Sequence, residues 1–559
     1  MVPDRLRGPP QLGCLREPRV PGHENSPIGV PPLDKALKTL RDLNDLRDEN
    51  GEPVPSLITI EGFEPWWFHQ DLLYWRLLVP LEEHIEAIEQ ALASTAEGAE
   101  SPLPGAVDEL FDRLSPFLSG SSLAPLMRPR PRERARTAFT ARARLAILLA
   151  LGWLGLWLAR VRKLDTLLTS VDQVSPGERT DFRVAELDHE LRRRGYRVME
   201  YLFTSSGDGY RTALRNVWRR RRLGVPFLKL AAILSRRTRP QAPPRPALPR
   251  LGDTVKGELL RACVHWSLAR AVASTVEIDA LRKLLRFQRP KRAVLLDNRN
   301  SLSLSAACSC LGIPTLGFMH GQFNRYHPTL MAYGFQGQRK HGFNLYGVWS
   351  EYFIERLERG DLFDRTRAFA SGPLRQPLAL HDPSSSSKNR LRDAIRVLVI
   401  SESAARQSEI SAYLEQLMAD DRFHVALKIR PGEDPPHIAA TGIDLTRIEI
   451  VSTSTVYEAF ADADVVVGSY SSALFEAAII PRPTVILKTS FPYGHELAED
   501  GLSDLAENPA AVVETVLRAT ATAAEELRRR TRRLWGDSPG AGVAQLLDFA
   551  EERLWQAPN

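Results

Sequence analysis

Cysteine is scarce in this chain. Cys14, Cys263, Cys308 and Cys310 are the four in 559 residues. None forms a Cys-x-x-Cys pair, and their spacing fits no usual zinc module. A structural metal is therefore not expected, and so few thiols suit a reducing compartment. Several motifs are missing as well: no G-x-x-x-x-G-K-[ST] loop, no G-x-G-x-x-G after a strand, no H-E-x-x-H and no G-x-S-x-G elbow. These absences argue against a P-loop nucleotidase, a zincin and an α/β-hydrolase. The first thirty residues hold no apolar core, so no signal peptide is read there and a cytoplasmic location is expected.

A membrane-spanning run is lacking too. Leu145 to Ala159 reads LAILLALGWLGLWLA, an unbroken apolar stretch. As a helix it would extend about 22 Å, short of the roughly 30 Å hydrocarbon core. It is either a buried helix or one that dips into the inner membrane face, the second reading helped by Trp153, Trp157 and the arginines at both ends.

What the chain does have is apolar content of 43% with charged content of 25%, a globular balance in a length that suits two or three domains. The mild basic excess is concentrated locally. Arg128 to Arg144 carries seven arginines against Glu133 alone, and Arg211 to Arg239 carries ten basic residues and no acid. Such patches suit anionic lipid or a phosphorylated carrier. No recognised nucleic-acid module accompanies them, and no nucleic-acid partner is expected.

Residues 1–32 are rich in Pro, Gly and Arg without periodicity and read as disordered. Ser56–Ile60 (SLITI) reads as a strand running into an aromatic turn, Phe63 to Phe68. That cluster reads as packing, with Glu64 and His69 beside it as acceptor-side candidates. From Leu164 strands and helices alternate, which predicts parallel sheets covered on both faces. An N-terminal domain is read over 33–340, with basic and apolar insertions at about 125–163 and 211–250. A second domain is read over 341–520 and closing helices over 521–559.

Polar groups gather at predicted strand ends. AVLLD (293–297) is followed by Asn298, a further acceptor-side candidate, and Ile313–Met319 by His320 and Gly321. In the second domain the ends carry Ser401 and Glu402, Lys428 and Arg430, and Ser469, Ser471, Ser472 and Glu476. The last set belongs to ADVVVGSYSSALFEA (463–477), which reads as strand, small-residue turn and helix start. Such a turn is either a serine-capped helix or an anion site, because backbone N–H groups and the helix dipole converge there. A parallel sheet would gather these ends on one rim, where ligands bind in open α/β folds. Hydroxyls, cations, a helix terminus and a carboxylate suit a nucleotide's phosphates and ribose.

GIPTLGFMHG (312–321), Val348-Trp349-Ser350-Glu351, Ser371-Gly372-Pro373, VLVISE (397–402), VALKIRPGE (425–433) and the 463–477 stretch stand in an order that resembles bacterial GT-B glycosyltransferases of surface polysaccharide assembly. The resemblance extends to capsule transferases, including Kdo and sialic acid transferases, and to the teichoic acid glycerophosphotransferases. It implies two Rossmann-like domains facing a cleft and a nucleotide-sugar donor as substrate, with no cofactor or metal. The implied acceptor is a glycan or lipid-linked molecule at the inner membrane surface. It further implies phosphate and ribose contacts from Ser471, Ser472 and Glu476, a place beside the nucleotide for Lys428 and Arg430, and His320 as general base. The relatives show Lys-x-His-Pro where this chain has Lys428-Ile429-Arg430-Pro431. Arginine binds phosphate but does not exchange a proton near neutral pH, so no acid is assigned there. Two other readings accompany the transferase: a nucleotide-sugar 2-epimerase of the same architecture, and a non-catalytic scaffold at the membrane.

Overall fold

The computed structural model describes residues 32–96, 103–118, 121–126, 146, 150, 152–171, 183–203, 243–297, 299–319, 321, 323–331, 343–360, 365–374, 394–401, 407–429, 445–451, 456–480, 482–536 and 542–555. Its frame is two six-stranded parallel sheets. The first contains β1 (Thr166–Val171), β2 (Val198–Phe203), β3 (Arg292–Leu296), β4 (Thr315–Phe318), β5 (Leu345–Val348) and β6 (Ala368–Ala370), in the order β2-β1-β3-β4-β5-β6. The second contains β7 (Ile395–Ile400), β8 (Phe423–Lys428), β9 (Glu449–Val451), β10 (Val465–Gly468), β11 (Thr484–Leu487) and β12 (Asp504–Ala506), in the order β12-β11-β10-β7-β8-β9. Counted within its own domain, that second order is the doubly wound 3-2-1-4-5-6 arrangement.

Central strands are continuous apolar runs because helices cover both faces of each sheet. VVVG of β10 and TLGF of β4 are buried along their whole length. A helix and a strand form on either side of Gly195. The Ala185–Arg193 helix ends in Arg192 and Arg193, and Gly195 takes φ +85° before β2 begins. A 34-residue helix, Val255–Gln288, is started by Thr254, whose hydroxyl accepts from the Gly257 N–H at 3.0 Å.

Two expectations change. Ser56–Ile60 is not a strand. Val54–Ser56 is a 3₁₀ turn, and Ile60 exchanges 2.9 Å backbone bonds with Phe63 across a tight reversal at Glu61 and Gly62, both at positive φ. The 3₁₀ turn that holds Pro55 on one side and the reversal at Glu61 and Gly62 on the other leave no extended run between them. The domain boundary also moves. β5 and β6 pair into the first sheet, so a cut at 340 falls between two of its strands, and the second sheet starts only at β7. Nothing in a short β/α repeat states which sheet it joins.

The aromatic turn is packing, as read: Phe63, Trp66, Trp67 and Phe68 are buried. Beyond it the helix widens into a π turn, Tyr74–Leu78, before continuing as Val79–Ala96. Pro80 explains the widening, because its ring cannot donate and would crowd the carbonyl of Arg76 in a regular turn. The wide turn projects Trp75 onto the second domain, 5.7 Å from the Phe491 ring and 5.9 Å from that of Tyr493.

The chain finally recrosses. From the Ala524–Trp535 helix, Trp535 stacks on Trp349 at 5.4 Å and donates to the Phe475 carbonyl at 3.0 Å. The Gly542–Arg553 helix then packs Leu546, Leu547 and Ala550 with residues of the first sheet, and Phe549 stacks on Phe369 at 4.0 Å. One continuous core therefore includes residues of both domains.

Candidate functional site

The second sheet reverses its winding between β7 and β10, and a crevice opens outside the carboxyl ends at such a point. Ser401 follows β7, Lys428 ends β8 and Ser469 follows β10. Register places Ile400 beside Lys428 and Val467 beside Val399, so the three ends share one rim across about 10 Å of adjacent strands. Ser471 caps the Ser472–Ala477 helix, its Oγ accepting from the Ala473 N–H at 3.3 Å. Ser472 is half-buried in the helix's first position.

Glu476 sits one turn further on. Its Oε2 is buried and meets no hydrogen-bond donor among the described residues. The carboxylate lines a shallow cleft open to solvent, together with Tyr457 from the second domain and Arg183, Met319, Trp349, Pro373 and Leu374 from the first. Met319, Trp349 and Pro373 lie beyond the carboxyl ends of β4, β5 and β6, so the cleft lies where the two carboxyl rims face each other. A buried carboxylate oxygen without a donor is costly, and it becomes satisfied when a ligand hydroxyl arrives.

Lys428 is a second unfinished group. It is buried, and among the described residues its ammonium donates only to the Val451 carbonyl, at 3.3 Å. Burial pushes its pKa below the usual lysine value, and Glu458 partly offsets this. An incoming phosphate would use the remaining donors and restore the charge.

Other expected contacts are tied up internally. Ser469 is fully buried, with its Oγ 2.7 Å from Thr489 Oγ1, so its hydroxyl holds the loop after β11. That loop presses hard on the turn: a Cβ on Gly494 would lie 1.8 Å from the Ser469 carbonyl oxygen. Glu64 leaves the acceptor-side set. Its two oxygens accept from Ser56 at 2.9 Å and from Trp67 Nε1 at 2.8 Å, fixing the aromatic turn. His69 Nε2 lies 2.7 Å from Ser274 Oγ on the long helix. Ser401 is buried, its N–H donating to the Lys428 carbonyl at 2.9 Å. His320, Asn298, Glu402 and Arg430 lie outside the described residues. Arg183 and Tyr457 were not anticipated, since neither stands at a strand end or in a recognisable motif. Among the described residues no group of His, Cys, Asp and Glu could hold a metal ion.

The two domains are locked beside this cleft. Arg356, buried on the Glu351–Arg359 helix, pairs with Glu496 and, at 2.8 Å, with Asp500. Tyr352 donates to Asp500 at 2.8 Å, and Asn324 Nδ2 to the Tyr493 carbonyl at 2.7 Å. Arg325 reaches Glu499 at 3.2 Å. Burial alone would raise the Asp500 carboxyl, but the Tyr352 hydroxyl and the Arg356 guanidinium outweigh it and hold it below its usual range. His495, on the same loop, is pushed down to about 4 by burial.

No family model matches the chain, and no curated protein matches it. Solved structures are similar in part. The calicheamicin glycosyltransferase CalG4 is 16% identical, with 70% of this chain and 98% of that chain covered at a TM-score of 0.40. For the glycosyltransferase of kitacinnamycin the values are 16%, 70%, 99% and 0.44. For the UDP-GlcNAc 2-epimerase from Neisseria meningitidis bound to UDP-GlcNAc they are 11%, 69%, 98% and 0.40. Transferases and epimerases stand side by side at such values, and a likeness of this degree assigns no activity.

Proposed function

We propose that the chain is a nucleotide-sugar-dependent glycosyltransferase of GT-B type. It moves a sugar or sugar-like unit to a surface glycan or lipid-linked acceptor in bacterial polysaccharide assembly, at the inner face of the cell membrane. The observation that carries this reading is the buried, donorless Oε2 of Glu476 in the cleft between the two carboxyl rims. A ribose supplies the hydroxyl donors that this oxygen lacks. The Ser471–Ser472 helix start and Lys428 take the phosphates, with Arg430 beside them in the chain, and Trp349 and Tyr457 line the cleft.

In the transfer, the acceptor oxygen forms the new bond to the sugar's anomeric carbon while the bond from that carbon to the phosphate oxygen breaks. His320, next in the chain after cleft-lining Met319, takes the acceptor's proton. Lys428 and the helix N–H groups stabilise the charge left on the nucleotide phosphate. Glu476 accepts hydrogen bonds and takes no proton. The epimerase alternative needs additional carboxylates for proton abstraction, and Glu476 is the one carboxylate among the described cleft-lining residues.

A thermal-shift panel with CMP, CDP, UDP and GDP tests the donor site, since ligand at a hundredfold its Kd adds about 2.7 kcal/mol of apparent stability. A shift with one nucleotide that Glu476→Gln lacks supports the proposal. No shift with any of the four overturns it. Sugar isomerisation without acceptor would replace it with the epimerase.

A further inference from the structure

Four large hydrophobic side chains stand exposed among the described residues, and all four lie on one helical stretch: Trp153 (43%), Leu154 (43%), Trp157 (55%) and Val161 (59%). Its continuously described part covers residues 152–161, and it comes from the apolar run whose sequence left burial and membrane contact both open. Its side chains divide by face. Gly152, Gly155, Leu156 and Ala159 are buried against the protein. Trp153, Trp157 and Val161 follow one another at four-residue spacing and form a ridge on the outer face.

The ridge is braced and ringed with positive charge. Trp153 meets the Phe287 ring edge-on at 6.1 Å, and the Arg160 guanidinium lies 4.8 Å over the same ring. Arg160 also donates to the Phe287 carbonyl at 3.3 Å, which ties this helix to the end of Val255–Gln288. Arg160, Arg162 and Lys163 are exposed, as are Lys283, Arg286, Arg289 and Lys291 around Phe287. Two nearby acids are already paired, Asp165 with Arg197 and Asp279 with Arg282.

We infer that this face docks on an anionic lipid bilayer surface, with Trp153, Leu154, Trp157 and Val161 entering the interface and the basic ring contacting headgroup phosphates. The mixture of tryptophan ridge and cationic rim is the chemistry of an interfacial helix. Charge selects this occupant over the others. A second copy would bring an identical positive ring against this one, and the chain's own 128–144 and 211–239 stretches carry the same sign. The inference is a helix lying on the membrane, and no described helix is long and apolar enough to cross one. The inference deepens the proposed membrane location but rests on the face alone; the cleft plays no part in it.

Flotation of the full chain with vesicles tests it, using phosphatidylcholine alone and phosphatidylcholine with phosphatidylglycerol. The expected result is binding to the anionic vesicles with little to the neutral ones, weakened as salt rises from 50 to 500 mM. Trp153→Ala with Trp157→Ala lowers the partition on the order of tenfold, since two large apolar side chains leave the interface. Arg162→Glu with Arg286→Glu lowers it further and leaves thermal stability unchanged, because both side chains are exposed. Equal binding to both vesicle types, unaltered binding of the tryptophan variant, or a concentration-dependent dimer abolished by that variant without vesicle binding would each overturn the inference. The nucleotide shift read on the same preparations separates the two proposals: vesicle binding without it removes the donor site and leaves the docking face standing.

Discussion

Where Asn324–Arg356 meets Tyr493–Asp500, each carboxylate of the second domain finds a cation: Glu496 and Asp500 at Arg356, Glu499 at Arg325. On the same domain boundary Glu476 keeps a buried oxygen without a donor among the described residues, and at the nearby rim the buried Lys428 ammonium donates, among those residues, to one carbonyl. Both regions bury charge between the same two bodies. In the first, all three carboxylates have a cation, although Arg356 Nε and His495 Nε2 stay buried without a partner among the described residues. In the second, on the proposed reading, the missing partners come from a ligand.

Breaking the ion-paired region has the largest expected effect. Arg356→Ala strands Glu496 and Asp500 and lowers unfolding free energy by about 3–5 kcal/mol, read by urea denaturation. Acidification weakens the same region. His495 titrates at about 4 in the fold and near its ordinary value when unfolded, so between those values the unfolded chain binds more protons. Stability is therefore full above about pH 6.5 and falls as pH drops toward 4, by up to about 3 kcal/mol. Asp500, held low by its partners, adds a further loss below its ordinary range. His495→Asn should flatten the melting profile between pH 6.5 and 4.

The unfinished region should respond in the opposite sense. Lys428→Met removes a buried, poorly partnered charge and is expected to stabilise the ligand-free protein by about 1 kcal/mol while abolishing nucleotide-induced stabilisation. In wild type, nucleotide affinity should fall at alkaline pH earlier than for an ordinary lysine, because burial has already lowered this pKa. The smallest change to the free protein belongs to Glu476→Gln, within about 0.5 kcal/mol. Destabilisation by Lys428→Met would erase the contrast between the regions.

Much of the frame was legible because it is local. β7, Ile395–Ile400, is apolar but for Arg396, and the Ser471 cap is written in five consecutive residues. What lay hidden depends on distant partners. Arg356 and Glu496 are 140 positions apart, and no periodicity announces that they meet. Glu64 read as a candidate because a polar group beside aromatics suggests a site, whereas Ser56 and Trp67 consume both its oxygens. Ser469 and Ser471 share one turn, yet the first faces Thr489 inside the fold and the second caps the helix. The sequence places hydroxyls in a turn without saying which way each points.

The central claim is that Glu476 waits for ribose hydroxyls. Isothermal titration of the best-binding nucleotide and its 2′-deoxy and 3′-deoxy forms, against wild type and Glu476→Ala, measures this directly. The account predicts that wild type loses about 10- to 100-fold in affinity for at least one deoxy form, the value of a hydrogen bond to a charged acceptor, and that Glu476→Ala binds all three alike. Equal discrimination by both proteins would contradict it.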